Sequence, residues 1–325
     1  MVYTKILHYL RRESLKFYIV IAVHNEEAFI EDCLSSLTTQ TLLPKKIIVV
    51  DDNSKDKTPE IVKNLAKKFP ALKLIHNQSS NEHVPGEKVI KAFNFGLQQL
   101  DDNYDVICKF DGDLIFPKNY LETLASYYVQ NPKLGMLSGH CYIQKNNKWI
   151  YENIASKAHT RGPLKSYRHA CFKAIGGLQA SIGWDTVDEL IALYNGWTFK
   201  TVAALKVKHL KPTGAHYSPN ARYLQGEALY KMRSGFTIAT LSALKMAFNR
   251  YNFILFFDCM TGYLRACKSN TKFIVTENQG EFIRGYRWRA LRKKIIGIKT
   301  STEYIQLKSS GIFPVRIPFK VSKTI

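Results

Sequence analysis

Acidic residues are scarce. Only 26 Asp and Glu stand against 47 Lys and Arg in 325 residues, a formal charge of +21. So basic a balance points to anionic partners: nucleotide phosphates, nucleic acid or an acidic membrane surface. Cysteines are few and scattered. The six (Cys33, Cys108, Cys141, Cys171, Cys259 and Cys267) include no CxxC spacing, which argues against a disulfide or zinc framework and for reduced thiols in a cytoplasmic protein. No run of about 18 apolar residues exists, so no membrane-spanning helix is expected. The segment "NFILFF" at 252–257 is far too short. The basic N-terminus "MVYTKILHYLRRESLKF" lacks the apolar core and cleavage site of a signal peptide. A GxxxxGK[ST] motif is missing, which excludes a P-loop NTPase.

Apolar residues make up 46% of the chain, enough for a sizeable core. Phe17–Val23 reads as a buried strand, and the following segment puts Ile30, Cys33, Leu34 and Leu37 on one helical face. "IIVV" at 47–50 is a second strand, near-continuously apolar as in a parallel sheet. Thr58 is the expected N-cap of a helix with Pro59 at its first position and Ile61, Leu65 and Phe69 inward. "LKLIHN", "VIKAFNFGLQQL" and "YDVICKFDGD" continue as strand, helix and strand. Such alternation predicts an open, mostly parallel α/β sheet flanked by helices, with ligands beyond the carboxyl ends of the strands.

Two acidic clusters fall at those ends. Asp51, Asp52, Asn53 and Ser54 follow one strand on the same rim as Asn25 and Glu26. They can cap loops through Asx-turns, or accept hydrogen bonds from a ribose or a pyrimidine N–H. Asp111 and Asp113 end another strand, and residues two apart along a strand share a face. A D-x-D there can aim two carboxylates at a hard cation such as Mg²⁺ or Mn²⁺, although alone it is a weak signal. In "GWDTVDELIALYNGW", Asp185 or Thr186 either N-caps a helix or, in the case of Asp185, serves as a general base.

The ordered set "HNEE", "QTLLPKKIIVVDDNSKDKT", "EKVIKAFNFGL", "KFDGDLIF", "GGL", "WDTVDELIALYNGW" and "VKHLKPTG" resembles the inverting glycosyltransferases of family 2, which have the GT-A fold. It covers residues 17 to about 215, two-thirds of the chain. The resemblance implies that Asp52 contacts the nucleotide base, with Glu26 and Lys88 near the nucleoside. It implies Asp111 by the ribose, Asp113 on a divalent metal and Asp185 as catalytic base, with Asp188 the alternate. It also suggests His209 as a metal or diphosphate contact. Two positions depart from the family pattern. Ala22 replaces a usual proline, and Trp184 replaces the usual Glu before the base. Trp184 either stacks on an acceptor sugar or belongs to the core.

The activity so implied moves a sugar from a nucleoside diphosphate donor, UDP-linked by expectation, to a hydroxyl of a glycan or lipid-linked acceptor. The rivals are a sugar-phosphate nucleotidyltransferase, whose Gly-rich N-terminal loop is missing here, and a nucleic-acid-binding protein, for which no helix-turn-helix, zinc-finger or RNP motif is present.

The catalytic part is expected over residues 1–215, and a basic helical C-terminal region over 216–325, with no proline between Pro219 and Pro314. Ile238, Leu241, Leu244, Phe248, Tyr251 and Leu255 recur at helical spacing. From Phe282 onward eleven Lys/Arg accompany one acid, Glu303, with Tyr286, Trp288 and Phe313 among them. That pattern suits either peripheral attachment to the inner face of the cell membrane or simple packing on the core.

Overall fold

The structure, a computed structural model, describes residues 15–79, 86–212 and 222–295. Among the described residues nine strands form one sheet: β1 (Phe17–Val23), β2 (Lys46–Asp52), β3 (Leu72–Asn77), β4 (Val106–Asp111), β5 (Leu114–Ile115), β6 (Leu134–Lys145), β7 (Lys148–Tyr151), β8 (Leu164–Arg168) and β9 (Thr198–His209). Their order is β3-β2-β1-β4-β8-β6-β9-β5, with β7 pairing to β6. β3, β2, β1 and β4 run parallel, as the near-continuous apolar runs of β1 and β2 predict, and β8 enters antiparallel between β4 and β6. The parallel pairing of β1 with β2 and β4 brings Val23, Asp51 and Asp111 to one edge.

Helices cover both faces. α1 (Ile30–Thr38), α2 (Thr58–Ala66) and α4 (Tyr120–Gln130) bury their apolar stripes on one side, with Ile30, Cys33, Leu34 and Leu37 inward as expected. α3 (Glu87–Leu97), α5 (His169–Ala174) and α6 (Trp184–Tyr194) cover the other. Thr58 does not cap α2; its Oγ1 instead accepts the Glu26 N–H at 2.8 Å, tying the helix to the loop after β1.

Four further helices follow: α7 (Leu224–Lys231), α8 (Phe236–Asn249), α9 (Ile254–Lys268) and α10 (Glu277–Ile295). The boundary expected near 214–220 and Phe313 lie outside the described residues. Ala228, Leu229, Met232, Cys259, Met260 and Ile283 share one buried cluster with Trp184, Val187 and Leu190, so these helices and α6 belong to one core. α7 and α9 cross backbone to backbone at two glycines. A Cβ on Gly226 would collide with the Cys259 carbonyl oxygen, and one on Gly262 with that of Tyr223.

The expected single stripe from Ile238 to Leu255 is corrected in two ways. The helix breaks between Asn249 and Ile254, where Tyr251 takes a left-handed φ of 50°. Ile238, Ala239, Ala243 and Ala247 form the buried face, leaving Leu241, Phe248 and Tyr251 exposed. Alanines spaced four apart permit close packing of the helix, which turns its larger residues outward.

Candidate active site

The first rim comes from the loops after β1 and β2, which are stitched together. Asn25 (φ 53°) and Asn53 (φ 61°) take the left-handed turn that asparagine tolerates. The Asn25 N–H reaches Ser54 Oγ at 3.0 Å, and its Oδ1 accepts the Lys55 N–H at 2.8 Å. Asp51 is committed to this scaffold: it pairs with His76 at 3.0 Å and accepts the Ser54 N–H at 3.2 Å. Asp52 is also buried. It accepts hydrogen bonds from Asn77 and Ser79, each at 2.9 Å, and Lys88 approaches to 3.7 Å from α3. The structure therefore joins Asp52 and Lys88, predicted together, on one side of the rim.

The D-x-D acids do not share one strand face, contrary to expectation. β4 ends at Asp111, and the Asp113 carbonyl accepts the Leu210 N–H at 2.9 Å, which draws the second acid toward β9. Asp111 pairs closely with Lys109. Asp113 is buried and faces His209 Nε2 at 3.4 Å, while His209 Nδ1 meets Glu152 at 3.0 Å. Burial opposes charge on His209, but the bonds to Asp113 and Glu152 prevail and raise its pKa to about 9. Glu26 bonds Lys211 at 2.6 Å through one oxygen; the other is buried without a hydrogen-bond partner among the described residues. Burial pushes the Glu26 carboxyl up to about 7, with Lys211 opposing and the charges of Asp113 and Asp111 adding to the rise. Glu26, Asp111 and Asp113 thus form a crowded acidic edge beside His209.

That edge has the chemistry of a divalent-cation site. Asp113 offers the hard oxygen donor such a cation takes, and His209 can join it as a nitrogen ligand only on giving up the proton it shares with Asp113 and Glu152. Cys141, Glu152 and His209 also place ligand atoms within 4.8 Å of one another. This triad fits a cation less well. Glu152 is already bonded to Arg161 at 2.8 Å, and burial pushes the Cys141 thiol up to about 12.

Beside the β4–β8 strand pair stands α6, reached by Lys165 of β8 through the Asp185 carbonyl. Gly183 opens it with a φ of 77°, and a Cβ there would come within 3.2 Å of Ala228 on α7. Three acids follow on this helix, and their environments differ sharply. Asp188 is buried, held by Lys165 at 2.7 and 2.9 Å and by the Tyr167 hydroxyl at 2.6 Å. Burial raises its pKa to about 6 against the pull of Lys165. Glu189 is buried and accepts the Thr160 N–H at 2.6 Å, and it bonds His159 Nδ1 at 3.0 Å. Asp185 alone keeps its side chain 35% exposed; His159 Nε2 meets it at 3.3 Å. Burial works against its charge, yet the bond to His159, with Lys165 and Arg161 nearby, lowers its pKa to about 2. His159 itself rises to about 9, because its bonds to Asp185 and Glu189 outweigh burial.

Trp184 does not present a stacking face. It is 7% exposed, and the ammonium groups of Lys109 and Lys165 each lie 5.4 Å from its ring. These lysines are register partners in β4 and β8, and both are buried. Their signal was present in the sequence: a lysine inside an apolar strand needs a counterion, which Asp111 and Asp188 supply. His159, Glu152, Arg161 and Glu189 carry no comparable local signal.

Residues 18–180, half of the chain, match the family described as Glycosyl transferase family 2. The chain belongs to this family. The "Probable glycosyltransferase YdaM" of Bacillus subtilis (strain 168) is 34% identical over 121 residues, covering 36% of this chain and 26% of that protein. The chain's match spans only 26%, 21% and 36% of three such curated relatives. The GT-A fold is also that of S. aureus TarS 1–349 in complex with UDP-GlcNAc (22% identity, 66% of this chain and 67% of that one, TM-score 0.51). The mannosyltransferase PcManGT of Pyrobaculum calidifontis, in complex with GDP-Man and Mn²⁺, shares it at 16% identity (92% of this chain, 96% of that one, TM-score 0.53). Among the described residues of this family 2 member, no helix is long and apolar enough to cross a membrane.

Proposed function

We propose that the protein transfers a sugar from a nucleoside diphosphate sugar, UDP-linked, to a hydroxyl of a glycan or lipid-linked acceptor in one inverting displacement. The observation that carries this reading is the contrast among the α6 acids. Asp188 and Glu189 are buried, whereas Asp185, held by His159, keeps a third of its side chain exposed at the helix start. In the proposed step the acceptor oxygen attacks the anomeric carbon, and Asp185 takes the hydroxyl proton as the new C–O bond forms. The bond from that carbon to the diphosphate breaks, and its electron pair leaves with the nucleoside diphosphate. His159 fixes the Asp185 carboxylate through the 3.3 Å contact and is itself fixed by Glu189. No carboxylate nucleophile is required, since a single displacement inverts the centre.

Asp52 and Lys88 would hold the nucleoside, with Asp111 toward the ribose and Glu26 beside them. Asp113 and His209 would hold Mg²⁺ or Mn²⁺, which when bound neutralises charge on the diphosphate. The Mn²⁺ and nucleotide sugars bound by the structural relatives support this reading. Residues 1–215 would carry the donor site, and the basic region 216–325 would serve acceptor and membrane contact. Eleven cations against one acid from Phe282 onward support peripheral attachment to an anionic, cytoplasmic membrane face.

The test is a panel of UDP-, GDP- and TDP-sugars with the full chain, each with Mn²⁺, Mg²⁺ or chelator, followed by thermal shift and nucleoside diphosphate release. A UDP-sugar should raise Tm and be consumed only with metal, and the product anomer, read by NMR, should be inverted. Retention at that centre would end the single-displacement reading. A panel in which no nucleotide sugar alters Tm or turns over would end the transferase reading itself.

A further inference from the structure

The α8–α9 turn exposes a concentration of large apolar side chains that no part of the described fold covers. Phe248 is 56% exposed, Tyr251 96%, Phe253 54%, Ile254 65% and Phe257 66%. Leu241 and Leu264 continue the exposed surface along the two helices. The backbone beneath is closed. Asn252 N–H reaches the Ala247 carbonyl at 3.0 Å, Asn252 Oδ1 accepts the Ile254 N–H at 3.0 Å, and Tyr251 N–H reaches the Phe248 carbonyl at 3.2 Å. The rings of Phe248 and Phe253 lie edge to face at 5.2 Å, so the turn holds its side chains as a formed surface. Contiguous exposed apolar patches on soluble domains mark contact surfaces.

Charge selects the occupant. From residue 236 to 276 the chain carries Lys245, Arg250, Arg265, Lys268 and Lys272 but one acid, Asp258. That acid is turned toward Arg222 at 3.6 Å. A second copy of this chain brings +21 of like charge. The segment 296–325 brings five Lys/Arg and one Glu. The segment 1–14 brings three Lys/Arg and one Glu. Like charge disfavours all three occupants from the chain itself. A surface that is anionic outside and hydrocarbon within complements both features. Ile254, Leu241 and Leu264 have aliphatic side chains that match acyl chains and not nucleic-acid bases.

We infer that the α8–α9 turn is a lipid-insertion element, which docks the enzyme on an anionic bilayer by burying Phe253, Ile254 and Phe257 among the headgroups and upper acyl chains. This deepens the membrane attachment proposed above and rests on it. It assigns the hydrophobic part of binding to this turn, leaving electrostatic attraction to the cationic helices. Aromatic and aliphatic groups fringed by Lys and Arg behave this way at bilayer interfaces.

The experiment uses the full chain with vesicles of phosphatidylcholine alone and of phosphatidylcholine mixed with phosphatidylglycerol. The wild type should co-sediment with the anionic vesicles only. The triple variant Phe253→Ser, Ile254→Ser, Phe257→Ser should lose at least about tenfold in vesicle affinity, from the apolar area withdrawn, with an unchanged melting temperature. A separate variant, Tyr251→Trp, places a fluorophore at the most exposed position, and brominated lipid should quench its added emission. If wild type and triple variant bind equally and the emission added by Tyr251→Trp is not quenched, the turn is not the insertion element, although attachment stands. If the wild type binds neither vesicle, attachment and this inference both fall. Self-association of the wild type, lost in the triple variant and without vesicle binding, would assign the face to a second copy and overturn the inference.

Discussion

Two regions of this protein invert the usual partition of polar and apolar side chains, in opposite directions. Around the sheet edge, charged groups lie inside: Lys109, Lys165, Asp113, Glu152, Asp188, Glu189 and His209 are all buried. On the α8–α9 turn, apolar groups lie outside: Phe253, Ile254 and Phe257 are each more than half exposed. The buried charges meet partners at hydrogen-bond or ion-pair distance, so their desolvation is compensated within the fold. The exposed apolar groups have no such compensation within the described structure. The first region should therefore be sensitive to loss of one partner, and the second almost indifferent in stability.

The largest expected effect is on turnover. Asp185→Asn preserves shape but cannot accept a proton, and should lower kcat by about 10²–10⁴-fold with donor affinity retained. Steady-state kinetics and donor titration measure the two separately. Should Asp185→Asn remain active while Asp188→Asn folds and is dead, the base is Asp188.

Next comes the buried pair. Lys165→Met leaves Asp188 without its ammonium partner and should cost about 3–5 kcal/mol in denaturant unfolding. The double variant Lys165→Met, Asp188→Leu should recover a large part of that loss. If both proteins unfold at the same denaturant concentration, the pair is not coupled as described.

A smaller effect concerns pH. His159 has a folded pKa of about 9, above its ordinary 6.5, so its contribution to stability is full below about 6.5 and is lost as pH rises through about 9. His209 shares the upward shift, so the informative quantity is the difference between wild type and His159→Gln. That difference should shrink by on the order of 1–3 kcal/mol across this interval. A difference independent of pH would show that His159 is not charged by Asp185 and Glu189. Smallest of all, Phe257→Ser on the turn should change unfolding free energy by no more than about 0.5 kcal/mol. Phe93→Ala in the core should cost about 3–5 kcal/mol.

The same contrast explains what was legible in the sequence. Strand ends and helix faces were readable because their patterns are local: β1 spans Phe17–Val23, and Ile30, Cys33, Leu34 and Leu37 point inward. The acids at the ends of β2 and β4 were readable because parallel pairing sends those ends to one edge. The separation of Asp111 from Asp113 was not, since it depends on the backbone bond to Leu210. Nor was the link from His159 to Asp185, which joins a loop to a helix twenty-six positions away. The exposed turn is not legible because periodicity finds a helix's apolar stripe but not which face the neighbours cover. The small face of alanines packs here, and the large one does not.

The glycine crossing of α7 and α9 has a mechanical consequence. With no side chain between the two backbones at Gly226 and Gly262, there is little soft material there to absorb a displacement. A side chain on Gly183 would likewise be crowded, since Ala228 of α7 lies 3.2 Å from where its Cβ would stand. Gly183 begins the helix that carries Asp185. An alanine in place of Gly226 or Gly262 would drive α7 and α9 apart and move Ala228, the α7 residue beside the start of α6, from its place.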